Sequence, residues 1–421
     1  MILVMVLWVV VLMTALVAVV SHASRLEMKI STGRVDEVRC KWACRAGLEL
    51  AIGLLNEDLR DTDCLLDLWS DNAEDFNNVR LERCAYTVRV TDEAGKLNIN
   101  TATREQLMGL PYMESDIVDA ILDWRDGDEN PQSAGAEAGY YENLPFPYTI
   151  RNGPLKTIRE LLAVKRMTKD LLYGEDSNLN GMLDYAEMDG ELTPPKDNGD
   201  QYLDKGWIAY LTCYSYEKNV DAEGQARVNI NQGDEQQLQR QLGISEGHAR
   251  WIVENRGGGF QSVGDLLTNQ SPEKPPENSN NANNQAQPID RQTFAQIADK
   301  ITVSGEQQIP GKVNINTAPK EVLAALLGGT DQANQLAENI VSQRSTLLYG
   351  FQTIGELLNV SSMTLERFKS IANLITVRSD VFTVRCYATA DVSEATLQTE
   401  CVVDRGASPV TILYWYQGAN Y

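Results

Sequence analysis

The chain is 421 residues long, with 37 basic against 59 acidic residues, a formal net charge of -22 at pH 7, seven cysteines and two histidines. That length exceeds one comfortable hydrophobic core and predicts two or three packed units, while the charge disfavours nucleic acid and anionic lipid as partners and favours divalent cations. No Gly-x-Ser-x-Gly turn, phosphate loop, His-Glu-x-x-His helix or Cys-x-x-Cys pair is present, so neither hydrolysis nor a zinc cage has support and the chain reads as a non-enzyme without a small-molecule substrate.

Residues 1–24 begin with twenty uncharged, Val/Leu/Met-rich positions, and the first firm charge is Arg25. Such a stretch spans a bilayer as a helix. A cleaved secretory signal would need a basic start and a break before the next helical pattern. Instead Leu26, Ile30, Val38, Trp42, Ala46, Leu50 and Leu54 follow at three- and four-residue steps, which predicts an amphipathic continuation over residues 25–62. The alternation of Cys84 to Val90 predicts a strand, turning at Asp92 to Gly95.

One phrase is then written three times: Leu97-Asn-Ile-Asn-Thr-Ala102, Val228-Asn-Ile-Asn231 and Val313-Asn-Ile-Asn-Thr-Ala318. Each is followed by a helical pattern (Ile117 to Trp124, His248 to Glu254, Leu336 to Gln343) and an echo beginning at Leu155, Phe260 or Phe351. Three copies of one unit are the simplest reading. Asn98 to Leu155 is 57 residues, against 31 for Asn229 to Phe260 and 37 for Asn314 to Phe351, so the first copy carries an insertion. Residues 81–268 read as a strand plus repeats 1 and 2, 289–374 as repeat 3, and 375–421 as closing β-strands; Trp207 to Tyr216 reads as a second entry strand. Between them, the apolar-poor, Asn-rich residues 269–288 predict a mobile linker.

Three acidic segments could bind metal. Asp176 to Glu187 fits the twelve-residue calcium loop, with ligands from Asp176, Asn178, Asn180, the Met182 carbonyl, Asp184 and bidentate Glu187, and Gly181 at the sharp turn. Short oxygen-bearing side chains at alternating positions can surround a hard Ca²⁺ with six or seven ligands. It lies in a run from Glu175 to Lys205 with nine carboxylates and two lysines. Directly downstream, Asp189, Asp197, Asn198, Asp200 and Asp204 form a looser second candidate, and Asp126, Asp128 and Glu137 in the insertion a third. Separately, a hairpin turning near Ser393-Glu394 would set Cys386 opposite Cys401 and allow a disulfide, as against two small buried strand residues.

The repeats resemble helix-hairpin-helix elements, which present hairpin backbone N-H groups to DNA phosphates. Here the first hairpin, Leu110-Pro-Tyr-Met113, lacks glycine, and two arginines face five carboxylates between Leu97 and Arg125. Phosphate binding needs charge to neutralise, so packing is the expected role.

Leu97-Asn-Ile-Asn-Thr-Ala102, Ala120-Ile-Leu-Asp-Trp-Arg-Asp126, Gly135-Ala-Glu137, Tyr140-Tyr141 and Gly153-Pro-Leu-Lys-Thr-Ile-Arg-Glu-Leu161 resemble, in order, the minor pseudopilin K family of bacterial type II secretion systems. The resemblance implies an α+β fold: a long N-terminal transmembrane helix and a pilin-like body interrupted by a large helical domain. It further implies calcium in the acidic loops and a single pass through the inner membrane with the bulk in the periplasm. The implied partners are minor pseudopilins I and J, with H as a further candidate, the major pseudopilin and the inner-membrane assembly platform. Pilin-like subunits carry a glutamate at the fifth mature residue, which K subunits lack; Met5 stands there if Met1 is near the mature start, which suits a position at the filament tip. No basic leader ending in glycine precedes the apolar segment, so the start is expected to be internal or processed. Ala138 replaces the family's usual acid after Gly-Ala-Glu. The alternative expectation is an exported, competence-type DNA receptor built on the helix-hairpin-helix units.

Overall fold

The computed structural model describes residues 1–176, 178–190, 192, 197–268 and 286–418. Glu191 and Lys196 of the acidic run, and residues 269–285 of the expected linker, lie outside the described residues. Helix α1 (Ile2–Glu57) is continuous, and no residue before Asp36 is buried. At 1.5 Å per residue, about 50 Å of helix therefore projects beyond the core. Its N-terminal part is long and apolar enough to cross a membrane.

From residue 40 onward α1 becomes a packed element. Cys40, Cys44, Leu48, Ala51 and Leu55 fall on one stripe and are buried, as three- and four-residue spacing requires. Gly47 permits close approach: a Cβ there would lie 2.7 Å from Val88 Cγ2. After the short helix α2 (Ala73–Phe76), strands β1 (Val79–Arg80) and β2 (Cys84–Asp92) begin the sheet on which this stripe rests.

The chain then leaves the sheet through three repeat units. The first runs from β3 (Leu97–Asn98) through α3 (Arg104–Met108), α4 (Ser115–Arg125), α5 (Ala138–Glu142), a 3-10 turn and α6 (Lys169–Tyr173) to β4 (Leu211–Thr212). After β5 (Tyr216–Lys218), the second comprises β6 (Val228–Asn229), α7 (Glu235–Leu242), α8 (Glu246–Asn255), a 3-10 turn, α9 (Arg291–Ile297) and β7 (Ile301–Thr302). Following β8 (Gln308–Pro310), which pairs with β5, the third comprises β9 (Val313–Asn314), α10 (Lys320–Leu326), α11 (Asp331–Arg344), a 3-10 turn, α12 (Leu365–Ile371) and β10 (Ile375–Thr376). In each unit the opening and closing strands pair in parallel: β3 with β4, β6 with β7, β9 with β10.

The repeated phrase has a structural reason. Its first asparagine accepts a hydrogen bond from the backbone N-H of the second, as in Asn98 with Asn100, Asn229 with Asn231 and Asn314 with Asn316. The second clasps the first residue of the echo by both amide groups: Asn100 with Leu155, Asn231 with Phe260, Asn316 with Phe351. Asparagine supplies a donor and an acceptor on one short arm, so it can substitute for a strand partner. In units 1 and 3 an arginine closes the turn: Arg125 donates to the carbonyls of Ile99 and Ala102, and Arg344 to those of Ile315 (2.9 Å) and Ala318 (2.7 Å). The units share one hydrophobic core.

The sheet resumes with β11 (Val381–Ala390), β12 (Thr396–Asp404) and β13 (Thr411–Gly418), giving the antiparallel order β1-β2-β11-β12-β13. Arg405 is 1% exposed and ties the sheet to the end of α1, donating to both Asp63 oxygens (2.5 and 2.7 Å) and to Asp58 (2.9 Å). The result is the α+β architecture expected: a long helix, an α/β body and a large inserted helical domain.

Four expectations need correction. The amphipathic extension ends at Glu57, because Asp58 is already extended and the chain turns toward the Asp63–Arg405 pair. Trp207 to Tyr216 is not an entry strand: Trp207–Ala209 is a 3-10 turn, and Leu211–Thr212 closes unit 1 against β3. The Asn-rich stretch interrupts unit 2 rather than separating it from unit 3, since α9 and β7 return to β6. Ile375–Thr376 pairs with β9 and so belongs to unit 3, not to the closing sheet.

Candidate metal centres

The insertion of unit 1 folds over the C-terminal end of α4. Asp123 and Asp126 lie one turn apart there, and the loop brings Glu137 to them, so that one carboxylate oxygen of each lies within 4.8 Å of the others. Both Glu137 oxygens and Asp126 Oδ1 are buried without a hydrogen-bond partner. Burial, then the neighbouring carboxylates, pushes Glu137 up to about 7; burial also raises Asp123. Among the described residues no lysine or arginine pairs with any of the three.

Their surroundings hold the loop in place. Asp123 accepts from Gln132 N at 3.0 Å, Asp119 accepts from Ala134 N at 3.1 Å, and Lys165 donates to the carbonyls of Ala134 and Gly135. Gly135 has no room for a side chain, because a Cβ would lie 1.8 Å from Asp123 Oδ2. Three converging carboxylates, two of them with orphaned oxygens, could hold a hard dication. Asp128, expected as a ligand, instead accepts from its own turn, from Asn130 N at 2.7 Å, and is exposed. Asp123 takes its place. The sequence signal for it was the i,i+3 carboxylate pair on α4, which places both groups on one face.

In the Asp176 to Glu187 loop the turns fall where the spacing puts them. Gly181 has φ +65°, Asn178 Oδ1 accepts from Asn180 N, Asn180 Oδ1 from Met182 N, and Asp176 Oδ2 from Gly181 N. Asp176 Oδ1 is buried without a partner, and burial raises this carboxyl. The amides of Asn178 and Asn180 both donate to Asp184 Oδ2 at 2.7 Å. The Met182 side chain is exposed, and its carbonyl is the atom of interest. These oxygens fit a calcium ion, although the three carboxylates do not gather as closely as those of the insertion.

The second candidate does not assemble. Asp197 accepts from Gly190 N and Gly199 N, Asp200 from Tyr202 N, and Asp204 from the Asn198 amide. Each carboxylate caps a separate turn, and Asp189, Asp197, Asp200 and Asp204 form no common cluster among the described residues. The organiser is Glu175, a buried residue not anticipated, which accepts from Asn198 N and Asp204 N.

The Cys386–Cys401 pairing also fails on register. The hairpin sets Cys386 opposite Thr399 and Val384 opposite Cys401, so the thiols are offset by two residues on the face toward α1. All seven cysteines are free. Cys386 lies instead near Cys44, whose thiol donates to the Cys386 carbonyl at 3.4 Å.

A membrane-length helix packed on an antiparallel sheet, with a domain inserted between adjacent strands, defines a pilin-like subunit. Residues 95–173 and 313–378 each match family models described as type II secretion system protein K. Together the two matches support a type II secretion minor pseudopilin, a structural class of secretion component. A search among curated proteins returned no match. Among solved structures it is similar to the crystal structure of the GspK-GspI-GspJ complex from the enterotoxigenic Escherichia coli type 2 secretion system, with 14% identity, a TM-score of 0.49, and coverage of 93% of this chain and 99% of that one.

Proposed function

We propose that the chain is a non-enzymatic tip component of the secretion pseudopilus, anchored in the inner membrane by residues 1–24 with its bulk in the periplasm. It assembles with minor pseudopilins I and J, and with H, to start the filament on the inner-membrane assembly platform. Growth of the major pseudopilin below it then supports export of folded proteins across the outer membrane. The observation that carries this reading is the projecting helix. The helix offers about 50 Å of unburied surface, with Leu26, Ile30, Val38 and Trp42 exposed beyond the uncharged stretch, and such surface in a soluble setting needs a partner. The apolar stretch of this helix, Ile2 to Val20, carries no acid, and an apolar segment without a carboxylate has nothing inside a membrane to neutralise a neighbour's terminal amine, which suits an end rather than a middle.

Calcium is proposed as the structural ion, held by Asp123, Asp126 and Glu137 in the insertion and by Asp176, Asn178, Asn180, the Met182 carbonyl, Asp184 and Glu187 in the second loop. Its role is to neutralise converged carboxylates and fix the loops. The test is co-elution of residues 25–421 with the soluble domains of cognate I and J, in calcium and then in chelator. A ternary complex that weakens in chelator is expected. A folded domain that associates in neither condition, while binding duplex DNA in a salt-sensitive way, would replace this reading with the DNA receptor.

A further inference from the structure

In a protein of net charge -22, one cavity has the opposite sign. It has a volume of about 480 Å³ and lies where β2 of the body, the Asp176 to Glu187 loop and unit 3 meet. Five basic residues line it against two carboxylates. Two of the five are neutralised nearby, Lys96 by Glu93 at 2.7 Å and Arg385 by Glu400 at 2.6 Å. The remaining three have no carboxylate partner among the described residues. Arg344 only caps the carbonyls of Ile315 and Ala318, and burial pushes it down to about 10. Lys205 is exposed at the cavity. Arg89 projects from β2 with its Nε buried and without a hydrogen-bond partner.

The two carboxylates offset these cations only in part, through the attraction of Asp176 for Lys205 and Arg385. Asp92 accepts from Ser379 Oγ, Thr317 Oγ1 and the Asn314 amide. Asp176 faces its own loop through Gly181 N. Arg89 is held close to that loop: a Cβ on Gly181 would lie 3.2 Å from its Nη1. A buried guanidinium nitrogen without an acceptor is costly, and an anion at the cavity would remove that cost with charge-assisted hydrogen bonds.

We infer that this cavity binds a small oxyanion, a carboxylate or a tetrahedral anion such as sulfate or phosphate, held between Arg89, Lys205 and Arg344. Leu65, Trp69 and Ile208 add apolar wall, which suits a carboxylate on a short hydrocarbon. The bound anion joins the body to unit 3 and to the acidic loop. A further consequence rests on the calcium reading above: an ion in the Asp176 loop would neutralise Asp176 and strengthen anion binding, and by linkage the anion would strengthen calcium binding equally.

The test is titration of the full chain in nonionic detergent with sulfate and with succinate, followed by calorimetry and thermal unfolding, against sodium chloride at equal ionic strength. Saturable binding is expected, weakened about tenfold in R89Q, as loss of one charged hydrogen bond implies. K205Q, changed at an exposed position, weakens binding less and guards against misfolding of R89Q. Absence of binding beyond the chloride control, or equal binding by folded R89Q and wild type, would overturn the site. Measurements in chelator keep this result independent of calcium: binding that is unchanged by calcium removes only the coupling. If succinate abolishes co-elution with I and J, the natural oxyanion is a partner's acidic side chain; unchanged co-elution assigns it to a solute. Both outcomes retain the site.

Discussion

The two acidic loops of the helical domain make an instructive pair. The Asp176 to Glu187 loop has its ligand types at regular intervals, and the backbone turns follow them, with Gly181 in the left-handed region and the Asn178 and Asn180 side chains each accepting from an N-H two residues on. Yet its Asp184 oxygen is already engaged by two amides, and Asp176 contributes one buried oxygen without a partner. The insertion loop has no such spacing, yet it leaves three buried oxygens on Asp126 and Glu137 without a partner. Ligand spacing thus reports how a loop can turn, whereas orphaned buried charge reports what a loop lacks. The second is the more direct sign of a missing cation, because an unpaired buried carboxylate is costly.

If this contrast is right, the largest effect comes from the insertion. Calcium at a hundredfold excess over its dissociation constant should raise stability by about 2.7 kcal/mol, and E137Q or D123N should remove most of that gain; thermal unfolding in calcium and chelator measures it. An equal loss from D176N with none from E137Q would reverse the order of the two loops. Next, G135A should cost about 1–3 kcal/mol by overpacking against Asp123 and reduce calcium stoichiometry, read by calorimetry. A pH dependence separates charge from packing. Glu137 is raised from 4.5 to about 7 in the fold, so between those values the folded state holds more protons than the unfolded. Stability of the calcium-free protein should therefore fall as pH rises from about 4.5 to about 7, and level off above; E137Q should flatten this slope, and calcium should suppress it. The smallest effect is expected from D176N, which should lower calcium stoichiometry by one with little change in the unfolding temperature.

Much of this fold was legible in the sequence because the repeat is local. Asn100, Asn231 and Asn316 each clasp an echo within the same unit, so identity of phrase meant identity of structure. The α1 stripe and the long strands were legible for the same reason, through their periods. What escaped depended on distant partners. Leu211–Thr212, Ile301–Thr302 and Ile375–Thr376 are strands only because β3, β6 and β9 await them, and two residues carry no period. The offset of Cys386 from Cys401 follows from a hairpin turn placed one residue from the one expected. The spacing does not single out Asp123, whose role depends on a loop returning from Glu137, nor Arg89, since a charge on a strand says nothing about the cavity it meets.

Strands β2 and β11 pair along nearly their whole length, Asp92 with Phe382 and Cys84 with Ala390, although almost three hundred residues separate them in the chain. During synthesis the N-terminal strand must therefore wait, with its hydrogen-bonding edge open, until the chain beyond residue 381 has emerged. The three units, whose pairings close within themselves, can form first. The body that carries the long N-terminal helix is thus the last part of the molecule to close, and a chain truncated before β11 would keep its helical domain but have no sheet on which α1 could rest.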